Sequence, residues 1–315
     1  LLIKKALVCC LLVLGFSCRG VLNEERNSNS GLGQYKYYYS NSTEAPFFAN
    51  LFLAQTDLTP AHPAFQSYAN LVSSYNFAKD PLFVDAGGGN YNARPADTLT
   101  RSEFFVLLKK LILENVRIEY QKGTARIFPC KNSANLNITG ATVSDFTSAD
   151  SAFQSVQCLV DNNLGAVIGV IDSGLVRPNV NLKRGELYAI TNAILEGIHT
   201  PMQQIHTNYS NRGVCVVKRT LKSFFNMFIA QISVFPNASA QVTSILQFSD
   251  IPLASPYYSS VSNLIEKYGV IDGYPFSDGT IHVEDDATYA DIVMLWNSSL
   301  DKMKEIGDSI TADCL

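Results

Sequence analysis

The sequence predicts a mainly α fold built from three helix-loop-helix repeats, with a small β-hairpin inserted between the first two. Three observations carry this expectation. An Asp followed by a hydrophobic residue occurs at Asp57-Leu58, Asp145-Phe146 and Asp250-Ile251, and eight positions later stands an aromatic, Phe65, Phe153 or Tyr258. Apolar residues then recur at helical spacing: Tyr68, Leu71 and Val72; Val156, Leu159 and Val160; Val261, Leu264 and Ile265. Each copy ends in a short block, Thr100-Arg101-Ser102-Glu103, Lys183-Arg184-Gly185-Glu186 or Thr288-Tyr289-Ala290-Asp291, whose second residue lies 44, 39 and 39 positions after the opening Asp.

After each block a second helix is legible. Its apolar positions are Phe104, Leu107, Leu108 and Leu111 in copy one; Leu187, Ile190, Ile194 and Leu195 in copy two; and Ile292, Leu295, Trp296 and Leu300 in copy three. A two-helix unit of roughly 60 residues cannot bury both apolar faces alone, so such units stack on their neighbours. Three of them can close around a shared axis. The boundaries read as 51–113 for copy one, 141–197 for copy two and 246–305 for copy three, followed by a tail at 306–315.

The connections between copies are long. Across 114–140, Val116, Ile118 and Tyr120, a turn at Lys122-Gly123, then Ala125, Ile127 and Phe128 read as a β-hairpin. Across 198–245 the run Leu221 to Ile232 reads as an extra helix, and the stretch holding His199 and His206 reads as loop. Extra core and a protein-binding face are the two readings of these insertions.

The beginning of the chain has the order of an export signal: Lys4-Lys5, an apolar run from Ala6 to Phe16, then Ser17-Cys18. Leu14 to Cys18 reads as a loose lipobox that would lipidate Cys18 at the end of a signal over 1–18. Cleavage after Ser17 or Gly20 is the alternative. Residues 19–50 are predicted to be a flexible linker, because Asn, Ser, Gly and Tyr dominate most of it without apolar periodicity. Cysteine usage agrees with export. Cys130, Cys158, Cys215 and Cys314 remain after the signal, an even set with three connectivities. Proximity to copies two and three favours Cys130 with Cys158 and Cys215 with Cys314; the other reading of Cys158 is a small buried hydrophobe.

The three copies together resemble the S-layer homology (SLH) modules of bacterial cell-surface proteins. In copy three the segments FSDIP at 248–252, SPYY at 255–258, YGVIDGY at 268–274 and SDGT at 277–280 are similar to the family's FSDVP, HPYY, GIIxGY and DGT. Copy two has Arg177-Pro178-Asn179, and copy one has His62-Pro63-Ala64-Phe65, Arg94-Pro95 and a block close to the family's T-R-A-E. The resemblance implies a pseudo-threefold spindle with helices inside and loops forming grooves for a cell-wall polysaccharide, commonly one bearing pyruvate ketals. It also implies an exported protein of the bacterial cell envelope, held at the surface layer, cell wall or outer membrane and periplasm, and anchored through cell-wall polysaccharide or peptidoglycan-linked glycan. In that reading the glycan-facing set is Arg101, Arg184, Glu103, Glu186, Asp57, Asp145, Asp250, Asp278 and Tyr289, the last in a groove without Arg that either binds sugar by stacking or binds nothing.

Physical chemistry bears on the block directly. Thr100 and Glu103 have capping-box spacing, which accounts for both residues as a helix start. It does not account for Arg101 or Arg184. A cation in the first helical turn opposes the macrodipole, and either an anionic ligand or pairing with an acidic neighbour, at the surface or between repeats, would offset it. Both alternatives stand at this point.

The remaining features exclude more than they suggest. The chain has 315 residues, a net charge of −4 and no basic run, so nucleic acid is not an expected partner. His199 and His206 have no metal-ligand spacing, and Asp85 to Asn90 (DAGGGN) lacks the Gly-Lys-Ser/Thr ending of a phosphate loop. No nucleophile motif, metal site or cofactor site is expected, and no enzymatic activity. The rival reading is a protein-protein interaction module that keeps the SLH fold without glycan binding.

Overall fold

In the computed structural model, the described residues are 57–59, 61–65, 67–68, 71, 82–87, 90–114, 116–120, 123–130, 143–212, 243–271 and 278–312. Helix makes up 49% of them and strand 8%, so the chain is mainly α. The signal and linker over 1–50, Cys18, Cys215, Cys314 and the helix expected over 221–232 lie outside the described residues. Among the described residues no helix is long and apolar enough to cross a membrane.

In copy one, Phe65, Tyr68 and Leu71 are helical, and Tyr68 and Leu71 are fully buried. Strands β1 (Val84–Gly87) and β2 (Asn90–Asn92) pair antiparallel where a plain loop was expected. Gly87, at the end of β1, sits at φ 84°, a conformation that costs glycine little. Helix α1 (Arg101–Leu108) follows and runs into a π turn, Lys109–Leu113. The hairpin expected after it is present as β3 (Arg117–Tyr120) and β4 (Gly123–Arg126), with Ile118 opposite Ala125. Val116, Ile127 and Phe128 are buried at its base.

Copy two supplies α2 (Phe153–Asp161) and α3 (Arg184–Gly197). Cys130, just past the hairpin, is disulfide-bonded to Cys158 on α2, with the two Cα atoms 4.6 Å apart. Residues expected as loop form α4 (His199–Ser210) instead. The reason is tertiary: Met202 is buried, Ile205 and Tyr209 pack on the core, and α4 lies against both α3 and the last helix.

In copy three a 3-10 turn at Ile245–Gln247 precedes α5 (Tyr258–Ser262), which continues as a π turn, Asn263–Lys267. Helix α6 (Tyr289–Ile310), at 22 residues the longest among the described residues, absorbs the expected tail through Ile310. Ile306 is buried on that extension, and Met303 is buried just before it.

The apolar positions named from periodicity after each block form core. Leu187, Ile190, Ile194, Leu195, Ile292, Leu295, Trp296 and Leu300 are all buried. Trp296 meets Phe104 with ring centroids 5.9 Å apart, joining α6 to α1. Elsewhere α1 packs on α2, and α3 packs on α5 and α6. In each of the pairs α1–α2 and α3–α5, the second helix of one copy is covered by the first helix of the next.

Candidate functional site: the three turns and their seams

The opening Asp of each copy does the same thing three times. Asp57 accepts from the amides of Ala93 and Arg94 at 2.8 and 2.6 Å, Asp145 from Val176 and Arg177 at 2.9 and 2.7 Å, and Asp250 from Ile281 and His282, both at 2.7 Å. Each carboxylate thus uses one oxygen on each of two consecutive amides. The second residue of each pair is held at positive φ: 51° at Arg94, 54° at Arg177 and 53° at His282. Non-glycine residues in this region carry strain of about 1–3 kcal/mol, and charge-assisted bonds to the carboxylate hold it in place. The three Asp side chains therefore organise turns. They were expected to face glycan; all three are exposed, with each oxygen accepting one backbone amide.

From each turn the chain passes onto the start of a second helix belonging to another copy. The amides of Arg101 and Ser102 donate to the carbonyls of Val180 and Pro178, those of Arg184 and Gly185 to Asp285 and Val283, and those of Tyr289 and Ala290 to Asp97 and Pro95. Copy one is bonded to copy two, two to three, and three back to one. These six amides lie in first helical turns, where no partner exists within the helix, so each seam satisfies donors that would otherwise need water.

The side chains at the seams correct the reading of the block. Arg101 is buried, with 1% of its side chain exposed. Its Nε donates to the Val176 carbonyl at 2.6 Å, one Nη to Val170 at 3.1 Å, and the other pairs with Glu186 at 2.6 Å. Buried among these groups, the guanidinium has no solvent-exposed face for a ligand, and pairing with an acidic neighbour between repeats is the alternative realised for Arg101. Arg184 repeats the pattern more loosely, with Nε 3.0 Å from Asp291 and Nη1 3.5 Å from Asp285. Burial disfavours its charge, but Asp291 outweighs that and raises its pKa.

The acidic residue of each block has two tasks. Glu186 accepts from the Lys183 amide that opens its own helix while pairing with Arg101. Asp291 accepts from the Thr288 amide and hydroxyl while pairing with Arg184. Glu103 accepts from the Thr100 amide and hydroxyl and caps α1. All three act as helix caps, and Glu186 and Asp291 also act as counter-ions.

Tyr289 is buried at 3% exposure, and Arg94 lies over its ring at 4.3 Å from the centroid while donating to its hydroxyl at 2.6 Å. Stacking of sugar on this ring was expected; the guanidinium of copy one occupies that face instead. Asp278 remains exposed. Its pKa is lowered to about 2, first by the Thr280 hydroxyl, then by His282 and the Thr280 amide.

Two features escaped the sequence reading. The residues at positive φ stand 37, 32 and 32 positions after their Asp, so the register that defined the block also marked them. Of these, Arg177 is the open one: its side chain is 41% exposed and pairs with Asp172 at 2.8 Å. The second is a size exchange across the seam between copies two and three. A Cβ on Gly185 would fall within the ring of Tyr257, which occupies the position of Ala64 and Ala152 in the other copies. Tyr257 lies near Glu186, Glu284, Arg101 and Asp172, and burial pushes its hydroxyl up to about 12. Among the described residues, no group of three His, Cys, Asp or Glu side chains is disposed to hold a metal ion.

The chain is 36% identical over 77 residues to the Uncharacterized protein alr4550 of Nostoc sp. (strain PCC 7120 / SAG 25.82 / UTEX 2576). The match takes in 24% of this chain and spans 13% of the length of that protein. No protein-family model matches the chain, and no solved structure matches it.

Proposed function

We propose that the three copies form a divergent SLH domain, closed about a pseudo-threefold axis, that anchors the protein to an acidic cell-wall polysaccharide. The observation that carries this reading is the triplicated turn, in which an Asp carboxylate grips two amides and holds Arg94, Arg177 or His282 at positive φ. Strained non-glycine conformations that recur at matched positions are a mark of sites under functional constraint. The cyclic seams support the closed arrangement, and the SLH resemblance supplies the ligand class.

In this reading the block cations hold copies together, and the glycan contact moves outward to Arg177. Arg177 is the turn cation with the most open side chain, since Arg94 is engaged with Tyr289 and His282 lies between two carboxylates. A guanidinium can grip a ketal carboxylate through two parallel hydrogen bonds, displacing the exposed Asp172. Export and a lipid tether at Cys18 complete the proposal, and the Cys130–Cys158 disulfide fits an oxidising compartment.

The rival reading, an interaction module without glycan binding, draws on the burial of Arg101 and Tyr289. Sedimentation with de-proteinised cell-wall sacculi separates the two. The anchoring reading expects the full chain to pellet with sacculi, to be released when pyruvate is removed from the glycan, and to lose about tenfold in affinity on Arg177→Ala. Full-length protein that stays in the supernatant at every sacculus concentration defeats it.

A further inference from the structure

We propose that His282 is a pH-sensitive clamp, whose ring bridges Asp278 and Asp285 only when both its nitrogens carry protons, so that the seam between copies two and three tightens in acid. The case rests on where the protons must lie. Nε2 is 2.9 Å from Asp278 Oδ2 and 2.5 Å from the Thr280 hydroxyl oxygen. That hydroxyl spends its own proton on Asp278 Oδ1 at 2.7 Å, so both oxygens facing Nε2 are acceptors and Nε2 must be the donor. Nδ1 faces Asp285 Oδ2 at 3.4 Å, another acceptor. A neutral imidazole has one donor nitrogen and one lone pair. A neutral ring here sets an unprotonated nitrogen beside a carboxylate, whereas the imidazolium sets positive charge against both Asp278 and Asp285.

The consequence reaches another copy. Asp285 gives its carbonyl to the Arg184 amide at 2.9 Å and its Oδ2 to Arg184 Nη1 at 3.5 Å, so the carboxylate that His282 must meet also sits on the start of α3. His282 is faced by Asp278 and Asp285 from its own turn, its amide is held by Asp250, and Arg184 approaches from α3 across the shared Asp285. Lys183 and Asp286 pair beside it at 2.7 Å, and Glu284 adds a further negative charge close to Lys183. Deprotonation of His282 sets an uncompensated lone pair against Asp285 and loosens this turn. Copies one and two carry Arg94 and Arg177 at the corresponding positive-φ position, permanently charged, so the response belongs to copy three alone.

The test needs no glycan, so its outcome is independent of the anchoring reading. Hydrogen exchange of the Arg184 and Gly185 amides in the full chain, corrected for intrinsic rate, is compared with that of Arg101 and Ser102, the same bonds at the seam between copies one and two. From pH 8 to pH 5 the protection of the first pair relative to the second is expected to rise at least about threefold, as histidine ionises across this range. His282→Arg, a residue this backbone conformation already accepts at 94 and 177, is expected to hold the ratio high and flat. His282→Asn, tolerant of positive φ and unable to titrate, is expected to hold it low and flat. Ring-nitrogen NMR should show both nitrogens of His282 protonated at pH 5. A flat ratio in the unmodified chain, or a pH response surviving in His282→Asn, overturns the clamp.

Discussion

The seam between copies one and two and the seam between copies three and one use the same backbone bonds and opposite side-chain chemistry. In the first, Arg101 is buried against Glu186 and two carbonyls. In the second, the corresponding residue is the neutral Tyr289, and the cation comes from the other side as Arg94. Paired amides and carbonyls fix how copies meet, and the side chain at the second block position has only to fill the space and leave no charge unpaired. The Arg of the block is therefore a device for joining copies. Where it is absent, the partner copy supplies the cation.

The largest expected effect comes from breaking the charged seam. Arg101→Met leaves Glu186 without its counter-ion and two carbonyls without a donor, and should cost about 3–5 kcal/mol in denaturant unfolding. An unfolding midpoint close to the unmodified one would show that the buried pair is dispensable.

Next comes the size exchange. Gly185→Ala drives a methyl into the Tyr257 ring and should destabilise by about 1–3 kcal/mol, the usual range for overpacking. Tyr257→Ala in the same chain should recover part of that loss, so a double-mutant cycle must show strong coupling. Additive costs would mean the two residues do not share the seam.

At the uncharged seam the expected change is smaller. Tyr289→Phe keeps the ring beneath Arg94 and removes only its hydroxyl acceptor, for about 0.5–1.5 kcal/mol. A loss as large as that of Arg101→Met would put the weight of this seam on the hydroxyl.

The smallest effect is that of acid on the exposed carboxylates. Asp286 is held below its ordinary range by Lys183 and then Asn181, and Glu266 by the Ile245 amide and then the Ser244 and Ser262 hydroxyls. Depressed pKa values stabilise the fold above the unfolded values of 3.8 and 4.5, and that contribution is lost as pH falls through the folded ones. Melting temperature should decline gradually below about pH 4.5, with Asp278 the last to protonate near pH 2. Asp286→Asn should flatten part of that decline, and an unchanged profile would show that Asp286 contributes nothing.

Much of the architecture was legible because burial leaves a periodic trace. The residues spaced three and four apart after each block are the ones that became core, and the alternation around Lys122-Gly123 became β3 and β4. Helix α4 was not legible, because its buried side of Met202, Ile205 and Tyr209 is too sparse to stand out until α6 lies beside it. The site was misread for a different reason. A charged residue in a block looks the same in sequence whether it meets solvent, ligand or a carboxylate about 85 positions away, and for Arg101 the distant Glu186 decided the matter.

By itself, the sequence determined the repeated register: where each Asp and each second-helix start would fall. Local spacing is enough for that, because a carboxylate reaching two amides and an acid capping its own helix depend on short-range geometry or on a fixed offset within one copy. Only the tertiary structure decided which copy each block would meet, and hence that Arg101 and Tyr289 are interior joints while Arg177 stays open. Those outcomes depend on which atoms become neighbours when distant segments pack together, and no single unit contains that information.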